Sequence, residues 1–318
     1  MDDNAIQVKD IKKAYGKSTA LNGVSLSVQK GRMAGLIGPD GAGKTTLIRI
    51  LTSLLDPDEG ECRLAGISVH KEPGRVRKII GYMPQRFSLY PDLTVGENLR
   101  FFADLFQVSK KERLEKTKRL LEFSRLSPFV ERRAGDLSGG MKQKLALSCA
   151  LIHTPEILIL DEPTTGVDPV SRREFWSILS SLKKEGVTIL VTTPYMDEAA
   201  RCDRISLIHH GHILGAGTAR EIIESSAGSI VSLAGPDLLL LAKWFKKRLG
   251  TEQVRILGDR VQLNLFSFPE EGLPELIGQA RSSGQKIDSV ERGEPVLEDA
   301  FISLIEKKEK INETALAS

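Results

Sequence analysis

The chain has 318 residues, 41% hydrophobic and 27% charged, and 45 Lys+Arg against 42 Asp+Glu leave a formal net charge of +3. That length fits about two domains, the apolar content excludes disorder of the whole chain, and so even a charge balance excludes a strongly electrostatic nucleic-acid binder, so no nucleic-acid partner is expected. No run reaches the ~18 apolar residues of a membrane span, and Met1-Asp2-Asp3-Asn4 lacks the basic and apolar regions of a secretory signal, so a cytoplasmic chain is expected.

In chain order, Ile6 to Val8 and Ala20 to Val28 alternate as strands, punctuated by Gly16, Gly23 and Gly31. Met33 to Ile37 is a short apolar run that predicts a buried strand, and from Lys44 the leucines and isoleucines recur with helical period until Asp56-Pro57 stops them. Residues 96–150 read as mainly helical, with Leu99, Phe102 and Phe106 at helical spacing and a charged helix over Lys110 to Phe123. Strands are expected at Ile157–Leu160 and Val187–Thr193, with a helix over Arg172 to Leu182 between them, an alternation that predicts an α/β sheet with mostly parallel strands. His209-His210-Gly211-His212 lies between two apolar runs as a hairpin turn does. After about residue 220 the pattern changes. Strand, helix, hairpin, helix and strand follow in the order β-α-β-β-α-β, with strands at Ser229–Leu233, Gln253–Leu257, Arg260–Phe266 and Lys286–Val290. This is the order of a ferredoxin-like α+β unit. A final amphipathic stretch runs from Val296 to Ile305. Cys62, Cys149 and Cys202 form no C-x-x-C pair and predict reduced structural thiols.

Gly38-Pro39-Asp40-Gly41-Ala42-Gly43-Lys44-Thr45, followed by Thr46, fits G-x-x-x-x-G-K-[ST] between a strand and a helix. Glycines let the backbone wrap a phosphate, and exposed N–H groups at a helix start face the anion. Lys44 then reaches the β- and γ-phosphates, and the Thr45 hydroxyl serves Mg²⁺. Asp161-Glu162 ends the strand Ile157–Leu160. Asp161 there would hold Mg²⁺ through water, and the adjacent Glu162 can point at a water in line with the γ-phosphate and act as catalytic base or water orienter. Leu137-Ser138-Gly139-Gly140 is a glycine turn opening a helix over Met141 to Leu151, with Ser138 as its N-cap.

Together these motifs, in their order and spacing over roughly residues 5–220, resemble the ATP-binding cassette (ABC) family. The resemblance implies an α/β P-loop NTPase cassette: a RecA-like core, a helical subdomain near 86–150 and a β-rich edge in residues 1–220. Residues 221–318 would then form a regulatory or dimer-stabilising domain. It implies that Tyr15 stacks on adenine, that Gln85 senses Mg²⁺ and the membrane partner, and that Asp168 is the aspartate of the loop after the catalytic acid. It also implies a head-to-tail dimer, of this chain with itself or with a second ABC ATPase. In that dimer Ser138, Gly139 and Gly140 of one subunit close over the Mg·ATP of the other. The ending Glu294 to Phe301 and the run Tyr195 to Ala199 look like those of drug- and polymer-exporting systems, in which a separate transmembrane permease chooses the substrate. The ATPase is then peripheral on the cytoplasmic face of the membrane. The stretch Phe87 to Leu105 would offer the cleft for the permease's cytoplasmic helix, although Phe101, Phe102 and Phe106 also fit a plain core.

Two positions depart from the family pattern. Met141 stands where a glutamine often ends the signature, and Pro194 stands where the family has a histidine on the γ-phosphate. Proline offers neither a side-chain donor nor a backbone N–H. Two readings stand: Glu162 suffices and hydrolysis is slower, or the site is a partly degenerate cassette paired with a competent ATPase.

Overall fold

Met33 to Ile37 is buried at all five positions, and so are Ile157–Asp161 and Thr188–Thr193, in a computed structural model of the chain. Strands apolar on both sides need cover on both faces, which parallel sheets provide. The structure describes residues 3–86, 88–226, 228–251, 253–265, 268 and 270–316. The chain divides into two compact units, 1–216 and 217–318.

In the first unit the elements run β1 (Asn4–Tyr15), β2 (Ser18–Gln29), β3 (Met33–Ile37), α1 (Lys44–Leu51), β4 (Glu59–Leu64), β5 (Ile67–Ser68), α2 (Pro73–Ile79) and β6 (Ile80–Met83). Next come α3 (Val95–Leu105), α4 (Lys110–Ser124), α5 (Gly139–Leu151), β7 (Ile157–Asp161), α6 (Pro169–Lys184), β8 (Thr188–Thr193), α7 (Met196–Ala199), β9 (Arg204–His209) and β10 (His212–Gly217). One sheet has the order β10-β9-β3-β8-β7-β6, and its β6-β7-β8-β3-β9 run is parallel. The register pairs Ile37 with Thr193, Asp161 with Thr192 and Met83 with Leu160, so four strands end side by side. The crevice beyond such carboxyl ends is where open α/β sheets bind ligands.

The second sheet, β2-β1-β4-β5, is antiparallel. Its Ile6, Val8, Ile11, Leu21 and Val24 share one core with Leu36, Leu47, Ile48 and Ile159. A fully buried side chain of this kind contributes about 1.5–3 kcal/mol. β1 and β2 are longer than their apolar alternation suggests, because bulges let polar residues continue the pairing, Lys13 with β2 and Lys9 with β4. The helices of residues 95–151 start from strong caps: Thr94 and Glu97 form a reciprocal box on α3, and Ser109 and Glu112 one on α4.

The second unit holds α8 (Ala219–Ser226), β11 (Ser229–Ala234), α9 (Leu238–Leu249), β12 (Val254–Leu257), β13 (Arg260–Leu265), α10 (Leu273–Ser282), β14 (Ser289–Gly293) and α11 (Leu297–Leu316). Its sheet is β12-β13-β11-β14 with every pairing antiparallel. Val231, Leu233, Val261 and Leu263 pack with Leu241, Phe245, Leu276 and Ile277 of α9 and α10. The last strand lies three residues beyond its expected start, because its pairing with β11 is set by backbone bonds on a largely exposed edge. Phe266, the expected end of β13, lies outside the described residues.

Candidate functional site

The loop between β3 and α1 wraps a cavity of about 290 Å³ lined by Ala20, Asp40 to Thr46, Gln85 and Glu162. Gly43 has φ +106°, and a Cβ there would meet the Ala20 carbonyl oxygen at 2.5 Å, so only glycine fits both the twist and the space. The loop is braced from outside the cavity. The turn between β9 and β10 donates the Gly211 N–H to the Ala42 carbonyl at 3.0 Å and accepts from Asn22 N–H at 2.8 Å. The triple-histidine segment is therefore a hairpin turn, with His212 Nε2 3.2 Å from the Asn22 amide nitrogen.

Lys44 is buried, and its ammonium donates to the Gly38 carbonyl at 2.8 Å and the Pro39 carbonyl at 3.0 Å. It also sits 3.0 Å from Glu162 Oε1, an ion pair with both side chains at most 4% exposed. The other oxygen, Glu162 Oε2, accepts from the Gln85 amide at 2.8 Å and from the Thr165 hydroxyl at 3.4 Å. Glu162 itself has φ +48°, a left-handed conformation that costs a non-glycine residue roughly 1–3 kcal/mol. Its backbone N–H holds that geometry by donating to the Thr192 hydroxyl at 2.9 Å and the Thr192 carbonyl at 3.2 Å.

Asp161 lies one residue earlier, 1% exposed, and accepts from the Thr192 hydroxyl at 2.8 Å. Burial raises its carboxyl above the usual range, and the hydroxyls of Thr192 and Thr45 act against that rise. The Thr45 hydroxyl, the Asp161 carboxylate and the carbonyl end of Gln85 are oxygen donors of the hard type that Mg²⁺ prefers. Gly41 and Gly43, both left-handed, turn the loop around a space suited to a phosphate. The residues present fit both groups.

The remaining expected residues lie elsewhere in the same unit. Gly38 and Pro39 serve the cavity through their carbonyls on Lys44 rather than as lining. Tyr15 ends β1 and is 49% exposed, with a ring open to solvent. Ser138 caps α5, accepting from Met141 N–H at 3.4 Å. Gly140 lies so close to α6 that a Cβ would reach the Ser171 side chain at 2.4 Å. Asp168 caps α6 through Val170 and Ser171 N–H groups at 3.0 and 2.9 Å. None of Ser138, Gly139, Gly140 or Asp168 is in the described lining of the cavity.

Sequence reasoning missed three contributors. Thr192 holds both acids, Thr165 bonds Glu162, and buried Glu198 bonds Thr164 and Thr193. The only signal for Glu198 was its place in the Tyr195 to Ala199 run. Phe101 is 38% exposed, and Phe102 and Phe106 line an open groove of about 420 Å³ with Leu54, Tyr82 and Leu105. Phe102 and Phe106 are half-buried, so of the two readings for these aromatics the plain core does not describe them. Phe87, the expected start of that cleft, lies outside the described residues.

A family model described as ABC transporter matches residues 21–165. The chain is 40% identical over 310 residues to the "Probable multidrug ABC transporter ATP-binding protein YbhF" of Escherichia coli (strain K12), covering 96% of this chain and 53% of that protein. It thus spans about half the length of YbhF. It is 37% identical over 309 residues to the Nod factor export ATP-binding protein I of Rhizobium sp. (strain N33), covering 96% of this chain and 98% of that protein. A solved ATP-binding subunit of an ABC transporter superposes with TM-score 0.64 at 32% identity over 70% of this chain and 92% of its own. The dimeric cassette MJ0796, in a post-hydrolysis state bound to ADP and Pi, superposes with TM-score 0.62 at 28% identity over 67% of this chain and 98% of its own.

Proposed function

Since the chain belongs to the ATP-binding proteins of the ABC transporter family, we propose that it is the ATP-hydrolysing subunit of an exporter, acting as a head-to-tail dimer on a separate membrane permease. The observation that carries this is the convergence of the Asp40–Thr46 loop, Lys44, Gln85 and Glu162 on one cavity at the ends of parallel strands. Loop N–H groups and the start of α1 receive the phosphates. Lys44 exchanges Glu162 for the β- and γ-phosphates, and Glu162, released but still oriented by Gln85 and Thr165, accepts a proton from water in line with the γ-phosphate. Thr45, Asp161 and Gln85 would hold Mg²⁺, which when bound would supply charge neutralisation on the phosphates. Tyr15 offers its open ring to adenine.

Ser138 to Gly140 stand apart from their own chain's cavity, which supports their serving the nucleotide of a neighbouring copy or a second ABC ATPase. Their helix start is a second anion site, and closing it over ATP makes the nucleotide part of the interface. The groove of Phe102, Leu105 and Phe106 supports docking of a permease's cytoplasmic helix, which sets the chain on the cytoplasmic face of the membrane. No helix among the described residues is long and apolar enough to cross a membrane. The unit 217–318 serves regulation or dimer stability.

Pro194 favours a second reading, a slow or non-hydrolysing cassette paired with a competent ATPase. Glu162→Gln tests the principal reading. Gel filtration with Mg·ATP is expected to show a dimer that the nucleotide-free variant lacks, and a monomer in both conditions counts against it.

A further inference from the structure

We propose that Glu198 is a positioning residue for ATP hydrolysis, its buried carboxylate tying the segment that carries Glu162 to the segment that carries Pro194. The role rests on the hydrolytic reading above.

Glu198 sits on the single turn of α7 and is 1% exposed. A carboxylate so buried persists only when its oxygens are fully engaged. It accepts from the Thr164 hydroxyl at 2.6 Å on one oxygen and from the Thr193 hydroxyl at 2.6 Å on the other. Arg172 Nε lies 3.5 Å from Oε1 as an ion pair. The three partners come from three stretches: Thr164 two residues beyond Glu162, Thr193 at the end of β8, and Arg172 in the first turn of α6.

Each stretch leads to a reacting or flanking group. Thr193 follows Thr192, whose hydroxyl donates to Asp161 and receives the Glu162 N–H. Tyr195 N–H donates to the Thr193 hydroxyl oxygen at 3.1 Å, and the Arg172 guanidinium lies over the Tyr195 ring at 4.4 Å. Pro194 has no N–H with which to anchor itself. Its position is therefore fixed through Thr193 and Tyr195, and both belong to the Glu198 network. Two hydroxyls and a guanidinium converge on this one carboxylate, which makes the brace polar and directional. It joins the two loops whose separation sets where Glu162 stands relative to the γ-phosphate, a distance to which turnover is steeply sensitive.

The test uses the purified full chain as wild type, Glu198→Gln, Thr193→Val and Glu162→Gln. Steady-state phosphate release, affinity for a fluorescent ATP analogue and thermal midpoint are measured on each. Glu198→Gln keeps the shape and is expected to lower kcat about tenfold, with KM and nucleotide affinity within about twofold of wild type. Thr193→Val is expected to reproduce part of that loss. Wild-type kcat in folded Glu198→Gln overturns the role, as does loss of kcat and nucleotide affinity in parallel with a lowered thermal midpoint. Wild-type turnover that Glu162→Gln abolishes, with Glu198→Gln unaffected, overturns the role alone. Absence of phosphate release from wild type overturns both the hydrolytic reading and this role.

Discussion

Lys44 and Glu162 are paired at 3.0 Å inside the cavity, so in this state the lysine of the phosphate loop and the acid beside Asp161 neutralise one another. Both are needed for different steps, and the pair keeps two buried charges compensated until phosphate replaces one partner. Lys44→Ala is expected to abolish turnover and to lower the stability of the nucleotide-free protein by about 3 kcal/mol, because it strands Glu162. Adding Glu162→Gln to it is expected to restore most of that stability. Urea denaturation of the single and double variants checks both, and equal stabilities would show that the pair is energetically idle.

Thr192→Val tests the electrostatics of Asp161. Burial raises the Asp161 carboxyl, and the Thr192 hydroxyl is one of the bonds restraining that rise. Without it the carboxyl is expected to rise further. The metal needs the carboxylate, so the acid limb of Mg²⁺-dependent phosphate release moves to higher pH. The sign for folding is opposite to that for activity. A carboxyl raised in the folded state contributes stability in acid, below its unfolded pKa, and loses it as pH climbs through the folded value. A pH–rate profile that superposes on wild type refutes this account.

Pro194→His restores a side-chain donor at the position that follows β8. Loss of one preorganised donor typically costs ~2.7–4 kcal/mol. With Glu162 intact, the variant is expected to raise kcat by about tenfold or more and to leave KM for ATP near its wild-type value. Turnover equal to that of wild type would set aside the reading of a degenerate cassette.

The three thiols give a cleaner readout of integrity. Burial pushes Cys62 up to about 11 and Cys202 up to about 12, and raises Cys149 as well. All three are buried and free. At pH 8 a thiol reagent is expected to label none of them in the native chain over minutes and all three in guanidinium, because thiolate is the reacting form. Rapid labelling of the native chain would place at least one outside the core.

The phosphate loop, Asp161-Glu162 and the Ser138 turn were legible because spacing and flanking periodicity encode them. The Lys44–Glu162 pair was not, since it depends on β3 and β7 both neighbouring β8 in the sheet, an order no local pattern carries. Thr192, Thr165 and Glu198 were missed for a related reason. Thr192 and Glu198 gain their meaning from partners on other segments, and Thr165 gains its from the left-handed turn at Glu162, which no apolar rhythm encodes. Short polar elements also escaped reading: Glu59–Leu64 is mostly exposed and Pro73–Ile79 buries only Val76, so neither has a full apolar rhythm. The long runs of β7 and β8, buried throughout, left no such ambiguity.

The hairpin turn at His210–Gly211 is hydrogen-bonded to the phosphate loop. Tight turns at a surface are ordinarily where a chain accepts a tag or a grafted peptide. This one is bonded to Ala42 and Asn22, so a fusion spliced there would pull on the wall of the nucleotide pocket. Reporter insertions that spare ATP binding therefore belong at other loops, however accessible this turn is to an engineer.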